Sequence, residues 1–140
     1  MPREVFVDAS AWVAVTVTRD QYHSQAVLCY RRLLEERHML VTTNLVWAET
    51  HVLIHRASGY LAAMRFLQNV RRGEQLVKVY SGPALESQAE AILRHYSDHD
   101  FSLTDAVSFA VMRERGISEA FAFDKHFATA GFTLVPSPPS

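Results

Sequence analysis

Cysteine is nearly absent: Cys29 is the only one in 140 residues. No disulfide can form within the chain, and a structural zinc site built on thiolates is excluded. Long apolar runs are missing too; none approaches the roughly 20 residues of a membrane-spanning helix. Net charge is almost nil, 14 − 15 = −1 with His neutral. Contact with a nucleic acid must therefore come from local patches, not from an overall basic field. With no G-X-Y period, heptad register, internal repeat or low-complexity segment, collagen and coiled coil are also excluded. Met1-Pro2-Arg3-Glu4 leads into a short apolar strand rather than a signal-peptide core, so the expectation is a soluble, cytoplasmic protein.

What is present is ordinary globular composition, 49% hydrophobic and 21% charged, which argues against wholesale disorder. A chain of this length is expected to form one domain and to bury about two thirds of its unfolded surface. That domain is placed at residues 1–135, followed by a short extended Pro/Ser tail at 136–140.

Val5-Phe6-Val7 is short, apolar and β-prone, and it stops at Asp8. A continuous apolar run of this kind suits a strand buried on both faces of a parallel sheet. A helix starts at Ala9-Ser10-Ala11-Trp12. Gln21 to Glu36 carries Ala26, Val27, Tyr30, Leu33 and Leu34 at helical spacing. His38 to Thr42 reads as a second strand. Asn44 is the expected N-cap of a helix running to Ser58-Gly59. Tyr60 to Arg72 is another helix, with Leu61, Met64, Phe66, Leu67 and Val70 on its apolar side. Leu76 to Tyr80 is a third strand, and Gly82-Pro83 opens a helix through Tyr96. After a polar loop, Leu103, Ala106, Val107, Ala110 and Val111 mark one face of a helix closed by Gly116. Ala120 to Phe123 is a fourth strand ending at Asp124, and Phe132 to Val135 a fifth. Alternating strands and helices predict a three-layer α/β/α sandwich around a parallel, roughly five-stranded, Rossmann-like sheet.

Ligands of such sheets lie beyond the carboxyl ends of the strands. Asp8 and Asp124 fall there; each alone is equally a loop acid or an N-cap. Glu49 falls within the stripe of Leu45, Ala48, Val52 and Leu53, where it would lose hydration. It must then be paired, for example with Arg56, protonated, or bound to a cation. Asp105 lies in a first helical turn capped by Ser102 or Thr104, where an acid also suits the helix dipole. Four converging carboxylates without counter-charge would repel and shift their pKa values upward. A hard dication such as Mg²⁺ or Mn²⁺ removes the conflict, and it suits phosphodiester hydrolysis by activated water.

Four segments carry a resemblance: Phe6-Val7-Asp8-Ala9-Ser10-Ala11-Trp12, Trp47-Ala48-Glu49-Thr50, Ser102-Leu103-Thr104-Asp105-Ala106 and Ala122-Phe123-Asp124-Lys125-His126-Phe127. Together they resemble the PIN-domain ribonucleases, above all the VapC-type toxins of toxin–antitoxin pairs, in order and over almost the whole chain. The resemblance implies a PIN-like fold and Mg²⁺- or Mn²⁺-dependent endonucleolytic cleavage of single-stranded or structured RNA. It also implies a homodimer and a cognate antitoxin. It places Asp8, Glu49, Asp105 and Asp124 as the catalytic, metal-binding quartet, with Ser10 and Thr104 as supporting polar residues. Asp8 and Asp105 would be the principal ligands, and the products would carry a 5′-phosphate and a 3′-hydroxyl. His126 occupies a variable position and is given no catalytic role.

Arg31-Arg32, Arg37-His38, Arg71-Arg72 and Arg113-Arg115 are candidate phosphate contacts or plain solvated surface. Asp98-His99-Asp100 is read as a loop or cap, with metal binding as the lesser option. Cys29, without a paired His, is structural. Two alternatives stand beside the nuclease. One is a PIN-like binding module without catalysis. The other is a metal-dependent α/β phosphatase, although a haloacid-dehalogenase-like enzyme would want a second Asp where Ser10 stands.

Overall fold

The computed structural model describes residues 3–138, apart from the side chains of residues 70–72. The last two residues of the expected tail and the side chains of Val70, Arg71 and Arg72 thus lie outside the described residues. Five strands are present: β1 (Glu4–Val7), β2 (Met39–Thr43), β3 (Leu76–Val79), β4 (Glu119–Phe121) and β5 (Thr133–Val135). The helices are α1 (Ala9–Thr16), α2 (His23–Glu35), α3 (Asn44–Ser58), α4 (Tyr60–Arg72), α5 (Pro83–His95), α6 (Leu103–Arg115) and α7 (His126–Thr129).

All strand pairs are parallel, and the sheet order is β3-β2-β1-β4-β5. The chain steps outward from β1 to β3, then returns to the other side of β1. Right-handed crossovers place α1–α4 on one face and α5–α7 on the other. The packing agrees: α1 lies against α2 and α3, and α3 against α4, while α6 lies against α5 and α7. The order reverses between β1 and β4, and a crevice opens there at the carboxyl edge.

The apolar run of β1 predicts a central strand, and Val5, Phe6 and Val7 are fully buried. Phe6 meets Phe127, which meets Phe109 edge-on at 5.0 Å. Trp12 packs edge-to-face against Tyr30 and Phe66 in a second aromatic cluster. Each such ring taken out of water contributes about 1.5–3 kcal/mol. Helix α6 is buried from Asp105 through Met112, far more than a one-sided stripe, whereas Leu103 is exposed. Gly116, at φ 69°, ends α6 in the left-handed conformation that glycine adopts without strain.

Some boundaries differ from expectation for local reasons. Thr43, not Asn44, caps α3: its hydroxyl accepts the Val46 N–H at 3.1 Å, while the Asn44 carboxamide accepts the Ser81 N–H. Strand β4 stops at Phe121 because the Phe123 N–H turns to the Ser10 hydroxyl at 3.0 Å. The short helix α7 was not anticipated.

Candidate active site

Asp8 leaves β1 at the reversal point. Its backbone N–H bonds to the Phe121 carbonyl, 3.1 Å away, tying it to β4. It also caps α1, because its Oδ2 accepts the Ser10 N–H at 3.3 Å. The Ser10 hydroxyl donates to the same oxygen at 2.8 Å and accepts the Phe123 N–H. Ser10 thus bolts the β1 turn to the β4 loop, in the place where a haloacid-dehalogenase-like site would need its second acid. Burial pushes the Asp8 carboxyl up to about 6, against the Ser10 hydrogen bond, with the Asp105 charge adding a smaller upward push.

Asp105 is buried at the third position of α6. Its N–H donates to the Ser102 hydroxyl at 3.0 Å, and its Oδ2 accepts the Ser102 N–H at 3.1 Å. This reciprocal pair satisfies two backbone donors at the helix start. Thr104 supplies only its carbonyl, to the Ser108 hydroxyl. Asp8 is thus the N-cap of α1 and Ser102 that of α6, and the Asp8 and Asp105 carboxylates lie close enough for their charges to interact.

Asp124 is half-buried in the loop after β4, and its Oδ1 accepts the His126 N–H at 2.8 Å. Asp105, Asp124 and His126 each bring a ligand atom within 4.8 Å of the others. Among the described residues, no other group of three such side chains does so. The His126 Nδ1 lies 2.9 Å from Asp105 Oδ2 and 3.5 Å from Asp124 Oδ1. Partial burial lowers the imidazole pKa, but the Asp105 hydrogen bond and the charges of Asp124, Asp105 and Asp100 outweigh it, so the net direction is up. His126, assigned no catalytic role from sequence, stands beside two of these acids. The available signal was its place two residues after an acid that ends a strand.

Glu49 corrects the expected face of α3. The buried face is Val46, Trp47, Thr50 and Ile54, whereas Ala48, Val52 and Leu53 are exposed. Glu49 is exposed by surface area, and it forms no ion pair with Arg56 among the described residues. Even so, it faces the other acids. Loss of hydration raises its carboxyl pKa, and the charges of Asp8, Asp105 and Asp124 push in the same direction.

Four carboxylates from four segments thus share one electrostatic neighbourhood, with the His126 imidazole beside them. Carboxylate oxygens with an excess of negative charge fit a hard divalent cation. Asp105, Asp124 and His126 form the tight part; Asp8 and Glu49 border it.

Of the other candidates, the arginines fall away from the pocket, whereas Asp100 lies close enough for its charge to act on His126. Arg32, Arg37, Arg113 and Arg115 sit at or after helix C-termini, beside the amino ends of the strands, where cations suit the helix dipole. Arg115 pairs with Glu4 at 2.5 Å, at the amino end of β1. They are not points around the carboxylate edge, as their sequence pattern allowed. His38 is buried and accepts the Arg3 N–H. Asp98, His99 and Asp100 form an exposed loop whose imidazole stacks on Phe101. Burial pushes the Cys29 thiol up to about 11, leaving it inert at neutral pH. Among the described residues, no helix is long and apolar enough to cross a membrane.

Comparison with known proteins gives the same picture. The PIN domain family matches residues 5–133. The 23S rRNA-specific endonuclease VapC20 of Mycobacterium tuberculosis, from two strains, is 38% identical over 133 residues, which is 94% of this chain and 97% of that protein. The crystal structure of M. tuberculosis VapC20, described as a sarcin–ricin loop cleaving toxin, superposes with a TM-score of 0.82 at 35% identity. It covers 92% of this chain and 96% of that one. By its family match, its sequence and its fold, the chain belongs to the PIN-domain family.

Proposed function

We propose that this protein is a Mg²⁺- or Mn²⁺-dependent endoribonuclease, the toxin of a toxin–antitoxin pair, acting in the cytoplasm as a single nuclease domain (residues 1–135). The observation that supports this reading is the cluster of Asp105, Asp124 and His126, with Asp8 and Glu49 near enough to feel the Asp105 charge. The likeness to an rRNA-specific endonuclease supports RNA as the substrate. A homodimer and an inhibitory antitoxin belong to the same reading.

When bound, the cation supplies charge neutralisation for the phosphodiester and acidifies water. Asp8 and Asp105 would be its principal holders, with Glu49 and Asp124 completing the set. Ser10 fixes the Asp8 rotamer through the 2.8 Å bond. The Ser102 N–H and the His126 Nδ1 both engage Asp105 Oδ2, so Oδ1 is the oxygen left to face the pocket. The carboxylate of Glu49, made more basic by its neighbours, is suited to accept a hydrogen bond from the attacking water. Attack by water on phosphorus leaves a 5′-phosphate and a 3′-hydroxyl, with no need of the RNA 2′-hydroxyl.

Antitoxin-free protein is expected to cut RNA with Mg²⁺ or Mn²⁺, to stop in EDTA, and to recover when metal is restored. Cleavage unchanged in EDTA would overturn the mechanism. In cells, expression alone should arrest growth, and a co-expressed antitoxin should relieve it. The amino-edge cations provide a further check. Arg113→Ala is expected to change the cleavage rate by about twofold or less, as for an exposed side chain without a buried partner. Lys125→Ala, next to Asp124, should weaken RNA binding more, with a shallower salt dependence. Equal effects of the two in a cleavage assay over a range of salt would reverse this placement.

A further inference from the structure

We propose that a cavity beside the acids holds a nucleobase of the RNA adjacent to the cleaved phosphate, seated against the rings of Tyr22 and Phe123. This inference rests on the nuclease reading and assigns a substrate contact within it.

The cavity has a volume of about 460 Å³, within the usual range for small-ligand sites. Four parts of the fold wall it: Ser10 on α1, Asp20 and Tyr22 between α1 and α2, Leu53 on the open side of α3, and Phe123 and Asp124 after β4. Ser10 and Asp124 belong both to this cavity and to the acidic pocket, so an occupant lies next to the reacting group. The rings of Tyr22 and Phe123 are parallel within 5°, their centroids 4.6 Å apart. Both are half-buried, and the backbone of each is fixed: the Tyr22 N–H bonds to Asp20 Oδ1 at 2.8 Å, and the Phe123 N–H to the Ser10 hydroxyl. The two rings already stack on each other, so the pair stands preformed and offers a base its outer face or edge.

The chemistry of the walls selects the occupant. Among the described residues, the lining includes two carboxylates, Asp20 and Asp124, and no lysine or arginine. With no such cation in the described lining, no side chain there pairs with a phosphate. A flat, uncharged group with an apolar face and polar edges fits, and in RNA that group is the base. Stacking on aromatic rings accepts any base, since every base has a π-face.

The test uses an RNA oligonucleotide cleaved by the wild-type protein, alongside versions carrying one abasic ribose on either side of the cut. In the wild type, abasic substitution on one side should raise KM roughly tenfold, the size of one lost stacking contact. In Tyr22→Leu and in Leu53→Glu, the intact RNA should already show that higher KM, and the abasic ribose should add nothing. Leu53 is on the surface, so its variant does not depend on core packing. Equal abasic penalties in wild type and both variants, or no penalty in the wild type, would overturn the proposal while leaving the nuclease standing. Absence of any metal-dependent cleavage would remove both.

Discussion

Asp8→Asn is expected to abolish cleavage and, at the same time, to make the metal-free protein more stable at neutral pH. Asp8 is only 5% exposed and lies near the Asp105 charge. Its folded pKa of about 6 stands above the ordinary 3.8, so the folded state holds the proton more tightly than the unfolded state. Stability fully present below pH 4 is then lost as the pH rises through 6. Two pKa units correspond to about 3 kcal/mol of opposition to folding above that window. Asparagine is of similar size, can still accept the Ser10 hydrogen bonds, and carries no charge. Unfolding by urea in EDTA should show the variant ahead at pH 7.5 and level with wild type near pH 4. Cleavage should fall by on the order of a hundredfold or more, as expected when a group that places the cation is lost. A variant less stable than wild type at pH 7.5 would make Asp8 a structural residue.

Asp105 should behave in the opposite way. Its carboxylate accepts the Ser102 N–H and faces His126 Nδ1, so it holds the first turn of α6 and the start of α7 as well as the pocket. Asp105→Ala deletes half of the reciprocal cap and should cost about 1–2 kcal/mol of stability, in addition to activity. Asp105→Asn keeps an acceptor for Ser102 and should lose activity with much less loss of stability. Melting curves and cleavage rates on the same preparations separate the two roles. Equal stability of the Ala variant and wild type would show that the cap contributes little.

The contrast between these acids also marks what the sequence made legible. Alternating strands and helices were readable because β1 is buried on both faces and α6 keeps its small apolar residues in register. The carboxyl-edge positions of Asp8 and Asp124 followed from the points where the apolar runs stop. Strand order was not legible, because hydrophobic period says nothing about which strands are neighbours. Glu49 was placed in the pocket by the wrong stripe: α3 buries the face of Val46, Trp47, Thr50 and Ile54, roughly the opposite side of the helix from the expected one. The contacts of His126 were not legible, because its partners lie 2 and 21 positions away and meet it only after folding. The arginine pairs looked like a phosphate track in sequence. The folded chain assigns the described ones to the amino ends of the strands, where helix C-termini attract them.

Mn²⁺ titration followed by line broadening of backbone amide signals tests the shared pocket most directly. The pocket described here requires Asp8, Glu49, Asp105, Asp124 and His126 to broaden together at low metal, and Asp124→Asn to weaken the effect at all five. Broadening centred at the amino end of β1, around Glu4 and Arg115, or on one acid without the others, would contradict it.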